Sequence, residues 1–408
     1  MRYKVFGRKT GLRVSELALG AGNFGTGWGH GAERDEAKRI FDGYLEAGGN
    51  FIDTANGYQG GQSEGMLSEF IAAERDRLVI ATKYTMGTER VAGISFTGNN
   101  RKNMVRAVEE SLKRLNIEHI DLFWAHISDG VTPMEEILRG FDDLVRAGKI
   151  HYAGLSNFPA WRIARADVLA EVRGFAPIAA IQTEYSLAER TAERELLPMA
   201  EALGLAATLW SPLGGGFLTG KYRTNDENNR AAKLGMLIHA EKGARETALL
   251  DTLLAVAAEL ESSPTHVAIA WLREKAKRST TALIPILGSR TREQLDATLG
   301  ALNVQLSDEQ LARLDGISAV EPGVPHAMIA GSVARYTGVE TPGSAEGSGG
   351  LKKLRGQASL LRIGVDGQIF ERRQTRRSEA CPRRRPHAQQ RCWLFHRFRE
   401  QARSHILG

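Results

Sequence analysis

Ile120-Asp121-Leu122-Phe123-Trp124-Ala125-His126 is a nearly continuous apolar run that ends on a titratable side chain. A run of this kind suits a parallel β-strand covered on both faces. The same pattern recurs on its N-terminal side as Leu17-Ala18-Leu19-Gly20, Asn50-Phe51-Ile52-Asp53 and Leu78-Val79-Ile80-Ala81-Thr82-Lys83. It recurs on the C-terminal side at 152–156, 178–182, 206–210 and 282–286. Between these runs lie segments with apolar residues at i, i+3 and i+4, which predict helices over 33–47, 101–115, 133–147, 159–172 and 193–203. Thr132-Pro133 reads as a cap followed by an N1 proline, and Gly48 and Gly148 read as C-terminal stops. Eight strands alternating with helices over roughly 300 residues is the size and rhythm of an α/β chain closed into a (β/α)8 TIM barrel. A doubly wound open sheet shows the same alternation, but the strand count and the length favour the barrel.

Composition narrows the function classes. No stretch approaches the apolar length needed to cross a bilayer. Met1 to Arg8 is charged and lacks the apolar core of a signal peptide, so a cytoplasmic location is expected. The only cysteines, Cys381 and Cys392, leave residues 1–320 without a disulfide, a thiolate metal site or a cysteine nucleophile. The formal net charge of +6 is uneven: 16 Lys/Arg against 7 Asp/Glu from Glu321 onward give +9 there and −3 before it. The body is mildly acidic, and the basic character belongs to the tail.

That tail changes texture. Residues 338–350 are rich in Gly, Ser, Thr and Glu and read as a linker. Arg372-Arg373, Arg376-Arg377 and Arg383-Arg384-Arg385 follow, with no pattern able to bury a core. The expectation is a barrel domain over 1–330 and a disordered, basic C-terminal tail over 331–408. A nucleic-acid-binding arm with Trp393, Phe395 and Phe398 as stacking residues is the competing reading. It predicts salt-sensitive retention of DNA or RNA that truncation near residue 335 removes.

The polar residues fall in an unusual place. Asp53, Lys83 and His126 end the second, third and fourth runs; Ser156-Asn157, Gln182 and Trp210 end the next three; Gly288-Ser289-Arg290 follow the eighth. In a barrel these ends converge on the face that carries active sites. Taken singly, an Asp after a strand is commonly a helix cap, a Lys a surface charge, and a His among aromatics a core residue. Caps alone do not explain seven consecutive strands with such ends.

With these residues in view, the chain resembles the aldo-keto reductase family. The resemblance rests on Gly49-Asn50-Phe51-Ile52-Asp53-Thr54-Ala55-Asn56-Gly57-Tyr58 with Ser63-Glu64, and on Ile120-Asp121-Leu122 running to His126. Gly154-Leu155-Ser156-Asn157-Phe158, Gln182 with Glu184-Tyr185-Ser186, and Trp210-Ser211-Pro212-Leu213-Gly214-Gly215-Gly216 extend it. Leu218-Thr219-Gly220-Lys221-Tyr222 and Ile284-Pro285 with Gly288-Ser289-Arg290 complete a match from 14 to about 330. It implies a TIM barrel binding a nicotinamide dinucleotide, a carbonyl substrate, and a catalytic set of Asp53, Tyr58, Lys83 and His126.

The chemistry of that set can be argued separately. Reducing a carbonyl leaves an alkoxide that needs a proton. Tyrosine, with an ordinary pKa of about 10, is a weak acid for this task. A Lys83 ammonium would stabilise the phenolate and make Tyr58 the stronger acid, and Asp53 would hold the lysine charged. His126 would orient the substrate oxygen. The hydride comes from the nicotinamide, so no metal is required.

By the same resemblance, Ser156, Asn157 and Gln182 hold the nicotinamide amide, and Trp210 stacks on its ring. Leu213, Gly214, Gly215 and Gly216, with Lys221, resemble the segment that wraps the pyrophosphate, and Ser211 is a further cofactor contact. Gly288, Ser289 and Arg290 meet the adenosine end, Arg290 as the partner of the 2′-phosphate of NADPH. Arg292 contributes there or is a surface charge. Beyond Gln294, which the family uses, it commonly has an acidic residue and an asparagine where this chain has Ala297 and Thr298. Gln294 is therefore expected to act largely alone, with NADPH favoured and NADH possible. Trp28, His30 and Trp124 are expected at the pocket mouth, with 25–32 and 225–243 as its variable walls. Two further alternatives are a redox-sensing regulatory subunit of the same fold with slow turnover, and an unrelated TIM-barrel isomerase, which would have no use for the Tyr–Lys–Asp–His set.

Overall fold

The computed structural model describes residues 1–89, 93–223 and 239–337. Eight strands, β3 (Ala18–Gly20), β4 (Phe51–Asp53), β5 (Val79–Tyr84), β6 (Ile120–Ala125), β7 (Ile150–Ser156), β8 (Ile178–Glu184), β9 (Ala206–Trp210) and β10 (Leu283–Leu287), follow one another around a closed barrel. Every neighbouring pair is parallel, including β10 with β3, which closes the ring. The TIM barrel holds, and the open sheet is excluded.

One element was not legible in the sequence. β1 (Tyr3–Val5) and β2 (Arg13–Ser15) form an antiparallel hairpin ahead of the barrel. Phe6 and Val14 from this hairpin join the side chains inside the barrel, and Phe6 meets Phe51 edge-on at 5.5 Å between ring centroids. Since Phe51 begins its strand, the hairpin plugs the N-terminal end.

Successive strand residues point to opposite faces, so alternate positions share the interior. The interior is built of Ala18, Phe51, Val79 and Ala81, Leu122 and Trp124, Ala180, Ala206, Ala282, Ile284 and Ile286. Two residues further along the same strands stand Asp53, Lys83, His126, Gln182 and Gly288. The strand period therefore aims the polar residues into the C-terminal mouth, directly above an apolar floor.

The intervening apolar positions face outward and bury against the helices. These are α1 (Arg34–Glu46), α2 (Gln62–Ile71), α3 (Arg101–Leu115), α4 (Met134–Arg146), α5 (Ala160–Arg173), α6 (Leu196–Leu203), α7 (Ala244–Glu259), α8 (Pro264–Arg278), α9 (Arg292–Leu299) and α10 (Asp308–Ser318). Gly48 and Gly148 take positive φ of 83° and 71° behind α1 and α4, the left-handed stop expected of them. Two helix starts differ from expectation. Pro133 is itself the cap residue of α4, while the Thr132 hydroxyl donates to Asp129 at 2.5 Å instead of capping the helix. A helix expected from 193 begins as α-helix only at Leu196, which places Pro198 in the first turn, where its missing N–H costs nothing.

Residues Met1–Ala327 form one compact unit. A last helix, α11 (His326–Thr337), runs over the expected boundary at 330. The linker and the arginine runs at 338–408 lie outside the described residues, as does most of the expected wall at 225–243. Among the described residues no helix is long and apolar enough to cross a membrane.

Candidate active site

A fully buried lysine is the centre of the site. Lys83 has no exposed surface, and its ammonium donates to Asp53 Oδ1, to the Thr54 carbonyl at 2.8 Å and to the Tyr58 hydroxyl at 3.1 Å. Three acceptors match the three protons of the ammonium. Gln182 Nε2 donates to the other Asp53 oxygen at 2.9 Å, so the carboxylate is held from both sides. Burial alone would push the lysine down, but the Asp53 charge and then Tyr58 outweigh it, and its pKa lies above the ordinary value. Lys83 is thus held as a cation against the tyrosine oxygen.

Tyr58 opens a short 3-10 turn, Tyr58–Gly61, in which Gln59 takes φ 52°. Its ring meets His126 edge-on at 5.8 Å and Trp28 at 6.0 Å, and Trp28 lies beside His30 at 6.2 Å. Trp28 is half exposed. Trp124 is not at the mouth. It is fully buried inside the barrel, where its ring lies against Gly154, and any Cβ there would stand 2.3 Å from it. The correction follows from strand period: Trp124 shares the inward face of His126 but sits two residues deeper.

His126 is kept neutral. Desolvation, reinforced by the Lys83 charge, lowers its pKa to about 3. Its Nδ1 is buried without a hydrogen-bond partner. A buried polar atom of this kind calls for a ligand or water.

The nearby loops are pinned by one amide. Asn157, in left-handed backbone at φ 53°, donates through Nδ2 to the His126 carbonyl and to Ser156 Oγ, both at 3.0 Å. Its Oδ1 accepts from Trp210 Nε1 at 3.1 Å. Ser211 follows at φ 56°, and Leu213 precedes a turn in which Gly214, Gly215 and Gly216 all have positive φ. Ordinary residues are strained in such a run, so the glycines let the backbone curl. Burial lowers the Lys221 pKa, and the positive charge of Arg290 lowers it further. Two cations therefore crowd this loop.

Ser289 is buried and Arg290 exposed, and among the described residues no carboxylate pairs with the Arg290 guanidinium. Gln294 Oε1 accepts from the Arg290 backbone N–H at 2.9 Å, and Thr291 caps α9. Ala297 is exposed on that helix, and Thr298 is buried with its hydroxyl returned to the Gln294 carbonyl at 2.8 Å. Arg292 pairs with Asp296 and Glu46, both at 2.9 Å.

A nicotinamide dinucleotide fits this donor set. It would need cations for its phosphates, a close backbone and side-chain amides for its carboxamide, and Lys221 with Arg290, Gly214 to Gly216, and Asn157 with Gln182 have that chemistry.

Two residues of the site carried no sequence signal. Gln62 Oε1 accepts from the N–H groups of Thr26 and Gly27 at 2.8 and 3.0 Å. Gln59 Oε1 accepts from the N–H of Trp28 at 2.9 Å. Together they fasten the loop that carries Trp28 to the turn that carries Tyr58. Their position just after Tyr58 is the one hint a sequence offers.

A closed parallel barrel with its polar residues gathered at the strand C-termini is the architecture of a barrel enzyme working on small molecules. Within that class, the chain belongs to the aldo/keto reductase family, whose model matches residues 16–319. Aldo-keto reductase ausK of Emericella nidulans is 34% identical to it, with 84% of this chain and 87% of that protein covered. The putative aryl-alcohol dehydrogenase AAD14 of Saccharomyces cerevisiae is 32% identical over 80% of this chain and 89% of its own. The uncharacterized oxidoreductase YrpG of Bacillus subtilis is 38% identical over 78% of this chain and 96% of its own. The protein is an oxidoreductase of a family that acts on small carbonyl compounds.

Proposed function

We propose that this protein reduces aldehydes or ketones to alcohols with NADPH, and that Tyr58 is the general acid. The observation that carries the proposal is the Lys83 ammonium, buried and shared between Asp53 and the Tyr58 hydroxyl 3.1 Å away. The nicotinamide, when bound, supplies the hydride to the carbonyl carbon. Tyr58 Oη gives its proton to the carbonyl oxygen as negative charge builds there, which leaves the alcohol and a phenolate. Lys83 stabilises that phenolate, and Asp53 balances the charge of the lysine. Gln182 keeps Asp53 in place. His126, neutral at physiological pH, orients the substrate oxygen by hydrogen bonding and adds no second positive charge. The phenolate regains its proton from solvent.

Asn157, Ser156 and Gln182 are the groups for the nicotinamide amide, Trp210 for its ring face, and Lys221 with the 211–216 backbone for the pyrophosphate. Arg290 selects the 2′-phosphate, which makes NADPH the preferred cofactor. Fluorescence titration in which NADH binds as tightly as NADPH would overturn that preference. Trp28 and His30 form an aromatic edge to the pocket, which suits aryl carbonyls; the yeast relative is named a putative aryl-alcohol dehydrogenase. Steady-state oxidation of NADPH with 4-nitrobenzaldehyde tests the reading as a whole. Turnover of order 1 per second or faster is expected of an enzyme; binding of NADPH without turnover would make the protein a redox-sensing subunit instead.

A further inference from the structure

At the other end of the barrel, the strand alternation that aims Lys83 and His126 inward places a different set of side chains outward. His119 immediately precedes β6, Asp121 is the second residue of β6, and His151 is the second residue of β7. The parallel pairing of Ile120 with Ile150 sets the two strands side by side here. One ligand atom from each of the three side chains lies within 4.8 Å of the others. The imidazole rings are 4.3 Å apart between centroids and tilted by 37°.

The carboxylate is already oriented. Asp121 Oδ2 accepts from the Ile80 N–H and pairs with the Arg75 guanidinium, both at 2.8 Å. Arg75 is in turn anchored on the carbonyls of Leu78 and His119 at 3.1 and 2.8 Å. Both contacts to Asp121 fall on Oδ2, which leaves Oδ1 for a cation. The guanidinium opposes a second positive charge nearby, so the two imidazoles must supply much of the affinity.

We infer that His119, Asp121 and His151 form a binding site for a divalent transition ion of the Zn²⁺ type. Two imidazole nitrogens and one carboxylate oxygen are the donor set of three-ligand sites for such ions, with water completing the shell. Magnesium and calcium, which take oxygen ligands, are disfavoured by the histidines. The site is about 20 Å along β6 from His126, counting roughly 3.3 Å per residue. It lies on the barrel face associated with stability and not with chemistry. An ion there clasps β6 to β7 and leaves carbonyl reduction untouched.

The test uses tag-free, chelator-treated full-length protein and Zn²⁺ itself in a calorimetric titration. The wild type is expected to take up one equivalent more than His119→Ala/His151→Ala, and Zn²⁺ should raise its melting temperature but not that of the variant. His151 is exposed, so His151→Ala alone serves as a variant that folds, with affinity expected to fall at least about tenfold. Cobalt(II) separates this site from Cys381 and Cys392: the site gives visible bands without thiolate charge transfer. Equal Zn²⁺ uptake by wild type and double variant, or a wild-type cobalt spectrum no different from that of the double variant, overturns the inference.

Discussion

Replacing Lys83 by methionine keeps the side-chain length and removes the ammonium from three acceptors at once. Asp53, only 2% exposed, then retains its Gln182 contact but faces an uncompensated burial of charge. Removing one partner of a buried ion pair costs about 3–5 kcal/mol, chiefly through the charge left behind. Lys83→Met should therefore lower the unfolding free energy by that amount. Asp53→Asn made in the same protein removes the stranded charge, and the asparagine oxygen can still accept from Gln182. The double variant should recover to within about 1–2 kcal/mol of wild type, the scale of the neutral hydrogen bonds that remain lost. On the Lys83→Met background the second substitution is then expected to restore about 1–4 kcal/mol. Urea unfolding measures it as shifts in midpoint at unchanged slope. Carbonyl reduction should be lost in both proteins, because restored stability does not restore the cation beside Tyr58. A destabilisation by Lys83→Met below about 1 kcal/mol, or a double variant as unstable as the sum of the singles, would refute this reasoning.

The low pKa of His126 makes stability pH-dependent. The unfolded imidazole takes up a proton near its ordinary 6.5 and the native one only near about 3, so stability is full above 6.5 and falls as pH drops toward 3. The stability difference between wild type and His126→Asn should shrink by about 2 kcal/mol from pH 7.5 to pH 5 in urea melts; a constant difference contradicts the burial of a neutral ring. Arg290→Ala should weaken NADPH about 10- to 100-fold in fluorescence titration and leave NADH unchanged, as expected for a lost charge-assisted bond. Gln62→Ala releases the Thr26 and Gly27 N–H groups, so KM for an aryl aldehyde should rise about fivefold with kcat nearly unchanged. A fall in kcat alone would show that the loop does not position substrate.

The barrel was legible because its signals are local and periodic. Runs such as Ile120 to Ala125 are apolar on both faces, and counting them gives the ring. The inward position of Asp53, Lys83, His126 and Gln182 was legible for the same reason, since each stands an even number of residues above an interior side chain. Trp124 differs from expectation because its aromatic character suggests a pocket wall, whereas strand parity puts it on the floor. The β1–β2 hairpin has no sequence signature because strands of three residues carry too few positions to show a period. Gln59 and Gln62 act through backbone N–H groups of a distant loop, and no spacing in the sequence encodes such contacts.

The role given to Tyr58 is the centre of the account. Tyr58→Phe deletes one oxygen and keeps the ring against Trp28 and His126. In steady-state NADPH oxidation with 4-nitrobenzaldehyde, kcat should fall by about 10²–10⁴-fold, the usual contribution of a positioned acid. NADPH affinity, titrated by fluorescence in the same protein, should stay nearly intact. Near-full turnover in the phenylalanine variant would contradict the mechanism and move the proton donor elsewhere.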